Sequence, residues 1–142
     1  MNYTLYDPST GQIIATISAS DSSQIPSTDS YIEGTYDGKK YYIDNNQPVR
    51  IPQKPTDFLQ EYIFDWTTKT WVNDLVASGN SVRRYRDLLL NQTVDQLNPI
   101  WWPTLTSEQQ AEATAYRQAL LDVPNQAGFP TTVEWPTKPS WL

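Results

Sequence analysis

The stretch Ser78-Gly79-Asn80-Ser81-Val82-Arg83-Arg84-Tyr85-Arg86-Asp87-Leu88-Leu89-Leu90 is where the sequence changes its period. Val82, Tyr85, Leu88 and Leu89 recur at helical spacing, and Ser78 to Ser81 offers capping residues for a helix that begins there. Arg83 precedes Asp87 by four residues, so the spacing predicts an ion pair on the helix surface. Upstream, the apolar residues follow a period of two. The stretch therefore divides the chain into an antiparallel β domain, residues 1–77, and a helical hairpin with an extended tail, residues 78–142. The fold class is α+β.

Working back from that boundary, Tyr62, Phe64 and Trp66 share one face of a strand. Thr67-Thr68-Lys69-Thr70 turns the chain and Trp71-Val72 returns it, which sets Trp66 against Trp71 across a hairpin. Pro48, Pro52 and Pro55 space out an extended connector before it. Tyr31 to Tyr36, Asp37-Gly38 and Lys39 to Asp44 fit a two-residue hairpin, because Asp-Gly suits a type I′ turn. Ser18 to Ser30 is rich in Ser and Asp and reads as a surface loop. Before it, Ile13, Ala15, Ile17 and Ala19 alternate with Ile14, Thr16 and Ser18, the pattern of a half-buried strand. Asp7-Pro8-Ser9-Thr10-Gly11 joins that strand to a shorter one, Tyr3 to Tyr6.

Downstream, a loop from Thr93 to Leu105 carries Pro99, Trp101-Trp102 and Pro103. Thr106 followed by Gln109 is a capping-box pattern that opens a second helix. Ala113, Tyr116, Leu120 and Val123 form its apolar stripe, and Pro124 ends it. Asn125 to Leu142 holds Pro130, Pro136 and Pro139 with Trp135 and Trp141. This tail is extended, not helical, and is laid along another surface.

Charge and composition narrow the function. Ten Lys plus Arg stand against sixteen Asp plus Glu over 142 residues, a formal charge of −6 and a pI near 4.4. Binding a phosphate backbone needs a basic face, so no nucleic-acid partner is expected. No apolar run approaches the ~18 residues of a membrane span, so no membrane partner is expected. Met1-Asn2-Tyr3-Thr4-Leu5-Tyr6 lacks the regions of a signal peptide, and the expected location is the cytoplasm. Hydrophobic residues reach only 38%, yet there are six Trp and nine Tyr, so rings must supply much of the buried surface.

The chain has no Cys and no His. That removes thiol nucleophiles, thiolate zinc sites, the Ser-His-Asp triad and the imidazole base. Glu108 and Glu112 share a helix face, but carboxylate catalysis needs a close pair in a cleft, and acids at a helix start answer its dipole. No catalytic, cofactor-binding or metal-binding residues are expected, and no enzymatic activity. Exposed Trp and Tyr suit stacking on sugar rings, which makes a carbohydrate-binding module one reading and a ring-built sheet core the other. Arg86 and Arg117 read either as interface anchors, since Arg and aromatic residues dominate binding hot spots, or as members of helix-surface pairs.

Several blocks of the second half occur together. Arg83 to Leu90, Leu105-Thr106-Ser107-Glu108-Gln109, Tyr116-Arg117-Gln118-Ala119-Leu120-Leu121-Asp122-Val123-Pro124, Gly128-Phe129-Pro130 and Trp135-Pro136-Thr137-Lys138-Pro139 follow in that order. This string resembles the tail fibre assembly chaperone family of tailed bacteriophages (Caudoviricetes), the phage tail assembly chaperones, over residues from about 80 to 139. Leu121 stands where that family usually carries Arg. Its usual Thr-Asp-Trp is here Thr93-Val94-Asp95, with the Trp pair displaced to Trp101-Trp102. Tyr6-Asp7-Pro8 and Phe64 to Val72 resemble its variable N-terminal region.

The resemblance implies a non-enzymatic protein that binds a tail fibre protein, itself expected to be a trimer, and assists its folding, trimerisation or attachment. The implied place is the host cytoplasm during assembly. A permanent component of the virion tail is the alternative. The resemblance puts the partner surface on the helix pair and the Gly128 to Trp141 tail, with Arg86, Tyr116, Arg117, Phe129, Trp135 and Trp141 as its candidate residues. A competing arrangement packs Trp135 back on the helices and bridges Arg117 to Asp122 or Asp87.

Overall fold

The computed structural model describes residues 1–142 and is α+β. Seven short strands come first: β1 (Asn2–Tyr6), β2 (Ile13–Ser18), β3 (Ser30–Glu33), β4 (Tyr41–Asp44), β5 (Gln47–Arg50), β6 (Tyr62–Asp65) and β7 (Thr70–Asn73). Two helices follow, α1 (Leu75–Gln92) and α2 (Ser107–Leu121). The chain forms two compact units. One comprises Met1–Pro55 with Ile63–Val72, and the other Thr56–Tyr62 with Asn73–Leu142.

In the first unit β1 lies between β2 and β3, antiparallel to both. The alternation on β2 is realised: Ile13, Ala15 and Ile17 are half-buried and Ile14, Thr16 and Ser18 exposed. Thr4 is fully buried at the centre of the sheet. Its hydroxyl donates to the Gly34 carbonyl at 2.9 Å and accepts from the Tyr36 N–H at 3.2 Å, so the buried polar group is satisfied.

The Asp37-Gly38 hairpin does not form. β3 ends at Glu33 and pairs with β1, while β4 pairs with β5. The Asp37 carbonyl accepts from the N–H groups of Lys40 and Tyr41, and its Oδ1 accepts from Lys39 N–H. That closes a helical turn in place of a two-residue loop. The type I′ turn lies one strand later, at Asn45-Asn46, with φ of 48° and 58°. Asn tolerates the left-handed region because its short side chain bonds locally. Pro48 sits inside β5, an edge strand where a missing N–H is tolerated, and not in an extended connector.

The β6–β7 hairpin turns at Trp66–Lys69, one residue earlier than the sequence spacing suggests. Lys69 takes φ of 57°, and Asp65 accepts the N–H groups of Thr67 and Thr68. Trp66 and Trp71 each pack edge-on against Phe64, at 4.8 and 5.2 Å between centroids, so the aromatic contact runs through Phe64. Tyr3, Ile25, Ile32, Ile43 and Phe64 are the buried apolar residues of this unit.

In the second unit α1 begins three residues before Ser78. Asp74 is the N-cap and its carboxylate accepts from Ala77 N–H at 3.0 Å. Ser78 and Gly79 are buried inside the helix instead of capping it. Ser78 Oγ accepts from Glu61 N–H and donates to Asn73 Oδ1, both at 2.8 Å. A Cβ at Gly79 would lie 3.3 Å from the Phe129 ring, so glycine is what lets that ring approach the helix. The capping box of α2 forms as expected, with Thr106 and Gln109 exchanging bonds. Its stripe is buried too: Ala113, Tyr116, Leu120 and Val123 are at most 5% exposed. Leu90 and Val94 close the core from α1 and the loop after it, and the tail residues Trp135, Trp141 and Leu142 pack against that core.

Two expectations follow. The Ser9 and Ser23 hydroxyl and N–H groups, and the Thr67 and Thr68 N–H groups, hold the carboxyls of Asp7, Asp21 and Asp65 below the ordinary range. A depressed carboxyl stabilises the fold above its unfolded pKa of about 3.9 and loses that contribution as pH falls through the folded value. Thermal stability should therefore decline below about pH 4, and less steeply in Asp65→Ala; parallel profiles would exclude this cause. Ser78→Ala strands the Glu61 N–H and should cost about 1–3 kcal/mol in urea unfolding.

Candidate functional site

The chemistry-bearing residues of the second unit gather on α1, α2 and the tail. Their placement starts with the arginines of α1. Arg86 lies against Asp87, at 2.7 Å between Nη2 and Oδ1, although the two are neighbours in sequence. The predicted Arg83–Asp87 pair is absent, because Arg83 stacks over the Phe129 ring at 4.9 Å. A guanidinium over an aromatic face keeps one side hydrated and gains roughly 0.5–1 kcal/mol at an exposed site. Arg84 is exposed, has no carboxylate partner, and reaches only the Ser81 hydroxyl at 3.3 Å.

Phe129 and Trp135 are positioned by the tail. The chain turns at Gly128, whose carbonyl accepts from Thr132 N–H at 2.7 Å. A Cβ on Gly128 would stand 2.4 Å from the Thr132 carbonyl oxygen, so no other residue fits that turn unchanged. The Phe129–Pro130 peptide is cis, and the Pro130 carbonyl accepts from Gln60 Nε2 at 2.9 Å. Beyond this turn Trp135 packs edge-on against Tyr85 at 4.9 Å, and Tyr85 packs edge-on against Phe58 at 5.2 Å. Trp135 thus lies back on α1, as the competing arrangement has it, and remains half-buried.

Tyr116 is 5% exposed within the core, where burial pushes its phenol above the ordinary value. It supports the helix pair from inside. Trp141 is half-buried against the same core and donates its indole N–H to Glu112. Arg117 is exposed and forms no ion pair with Asp122 or Asp87. It borders a hollow of about 350 Å³ with Val94, Asp95, Leu97, Trp102 and Ala113. Beside that hollow, in the loop between the helices, Ile100 is 77% and Trp101 56% exposed.

The structure therefore divides the six candidate residues. Phe129, Trp135 and Arg86 lie along α1 and the tail, Arg117 stands on the outer face of α2, and Tyr116 and Trp141 face the core. Tyr85, Arg84 and Phe58 join this surface without having been singled out from the sequence. Tyr85 carried a signal, because it is the one aromatic residue in the apolar repeat of α1. Phe58 carried none, since it precedes the helix by more than one element.

Aromatic rings interleaved with guanidinium groups on a preformed helix pair have the composition of protein-binding surfaces. Residues 79–140 match the family model described as phage tail assembly chaperone protein. The match begins in the second turn of α1, takes in α2 and nearly all of the tail, and covers less than half of the chain. The resemblance read from the sequence blocks is borne out over these residues, and the match supports a role in phage tail assembly. No curated protein and no solved structure matches the chain.

The two arrangements of Trp135 and Arg117 differ in what substitution does to the unit. Trp135→Ala removes the Tyr85 contact and half-buried ring area, and should cost about 2–4 kcal/mol of stability in urea unfolding. Arg117→Ala removes an exposed side chain that forms no ion pair and should stay within about 0.5 kcal/mol of the parent. Equal losses in the two variants would show that Arg117 is bound into the fold.

Proposed function

We propose that this chain is a non-enzymatic tail fibre assembly protein. The second unit binds a tail fibre protein and assists its folding, trimerisation or attachment in the host cytoplasm. The observation that carries this reading is the family match, which falls on the two helices and the tail. The physical character of that region supports it. Free arginines and partly exposed rings are presented on helices whose core of Leu90, Val94, Ala113, Tyr116 and Leu120 is covered in part by the tail. A surface held in shape before contact loses little side-chain and loop entropy on binding.

Co-expression tests the proposal. The fibre protein encoded in the same phage genome, produced with and without this chain, is assayed for soluble trimer by size and by resistance to dissociation. The expected result is a severalfold rise in soluble trimer and co-purification of the two proteins. Fibre trimer that forms equally well alone, with no co-purification, would overturn it. Mass spectrometry of purified particles separates an assembly factor, expected to be absent, from a tail component present at fixed stoichiometry.

A further inference from the structure

Leu59 has φ of 60°. For a bulky residue that conformation is strained and persists only where the surroundings enforce it. The enforcement is visible on either side. Gln60 is held by the Pro130 carbonyl and by Asn73, and Glu61 by Ser78. The strained residue turns Phe58 onto Tyr85, yet Phe58 stays 67% exposed, and Leu88, one turn along α1, stays 47% exposed. Leu59, Tyr85 and Leu88 line one shallow hollow together with Arg84. A segment held in strain to leave a phenylalanine largely in water is not arranged for burial within its own unit.

Charge specifies what would cover it. Of the three arginines on α1, Arg83 lies over Phe129 and Arg86 lies against Asp87. Arg84 alone has neither a ring nor a carboxylate, and it stands at the rim of the apolar hollow. Arg84 also lines a neighbouring hollow with Glu61 and Asp87, yet it forms an ion pair with neither. In a chain of net charge −6, an unpaired guanidinium beside exposed rings favours a carboxylate, which it can hold in a two-pronged bond.

We propose that Phe58, Leu59, Tyr85, Leu88 and Arg84 form a dock for a short segment of the partner polypeptide that carries a bulky apolar residue next to a carboxylate. The apolar side chain sits in the hollow lined by Leu59, Tyr85 and Leu88, with Phe58 against the Tyr85 ring, and the carboxylate meets Arg84. This inference rests on the proposal that the second unit binds another tail protein.

The test uses the full chain and overlapping short peptides that span the tail fibre protein and the other tail proteins of the same phage. Bound peptides are expected to share Leu, Ile, Phe or Trp beside Asp or Glu. Arg84→Glu and Leu88→Ser should each weaken them by about tenfold or more, with unchanged circular dichroism, while Arg50→Glu, at an exposed arginine of the first unit, should not. The dock is overturned if the parent chain binds no such peptide, if bound peptides lack a carboxylate, or if Arg84→Glu binds as the parent does. Co-purification of intact fibre protein alongside any of those results would leave the assembly role standing. Peptides of the expected kind drawn only from another tail protein would sustain the dock and remove the fibre as the partner.

Discussion

The buried hydroxyl of Ser78 is the constraint on which the second unit depends. It accepts the Glu61 N–H and donates to Asn73, whose amide in turn donates to Gln60 at 2.7 Å. Gln60 donates onward to the Pro130 carbonyl, and the Asp74 N–H closes the loop on the Glu61 carbonyl. Six residues from three separate stretches of the sequence thus share one set of hydrogen bonds. Through it the segment Thr56–Tyr62, the start of α1 and the turn of the tail are mutually fixed. Each bond contributes only about 0.5–1.5 kcal/mol net, but the desolvated partners make any single loss more expensive than that. The aromatic contacts from Phe58 through Tyr85 to Trp135 exist because this set of bonds holds their backbones together.

Legibility in the sequence followed the range of the forces involved. Period-two alternation on β2, the Thr106–Gln109 capping box and the stripe on α2 are set by neighbours within a few residues, and all three formed as read. The start of α1 did not. Ser78 and Gly79 have the chemistry of caps, but a serine also serves as a buried donor and acceptor, and glycine also admits a close ring. Which role each takes depends on Glu61 and Phe129, and nothing local names them. Asp37-Gly38 was the turn that local chemistry favoured, although Asn45-Asn46 also tolerates positive φ. The choice between them fell to β1, which took β3 as its partner and left β4 to pair with β5.

The candidate surface was legible in kind and less so in detail. Residue types pointed to Arg86 and Arg117 on the helices, and the family resemblance added the aromatic side chains of α2 and the tail. Their individual roles depend on competition for partners. Arg83 and Arg86 both stand within reach of Asp87 on a helix, and Phe129 decides between them by drawing Arg83 to its face. A ring brought in from residue 129 is invisible to any spacing rule along α1. Arg84 takes no part in that competition and bonds only the Ser81 hydroxyl.

Composition and architecture meet in the tail. With hydrophobic residues at 38%, the helix pair has too few aliphatic side chains to close its own core, and Leu90, Val94, Ala113, Tyr116 and Leu120 leave one side open. Trp135, Trp141 and Leu142 cover that side. Prolines at positions 130, 136 and 139 restrict the unfolded tail, so laying it down sacrifices less backbone entropy than a flexible segment would require. A stiff strap with two large rings is thus an economical lid for a small core. It also limits what the surface can do. Because Trp135 and Trp141 are engaged within the unit, the groups that the strap leaves outside are the unpaired guanidinium groups and the rings and aliphatic side chains beside them.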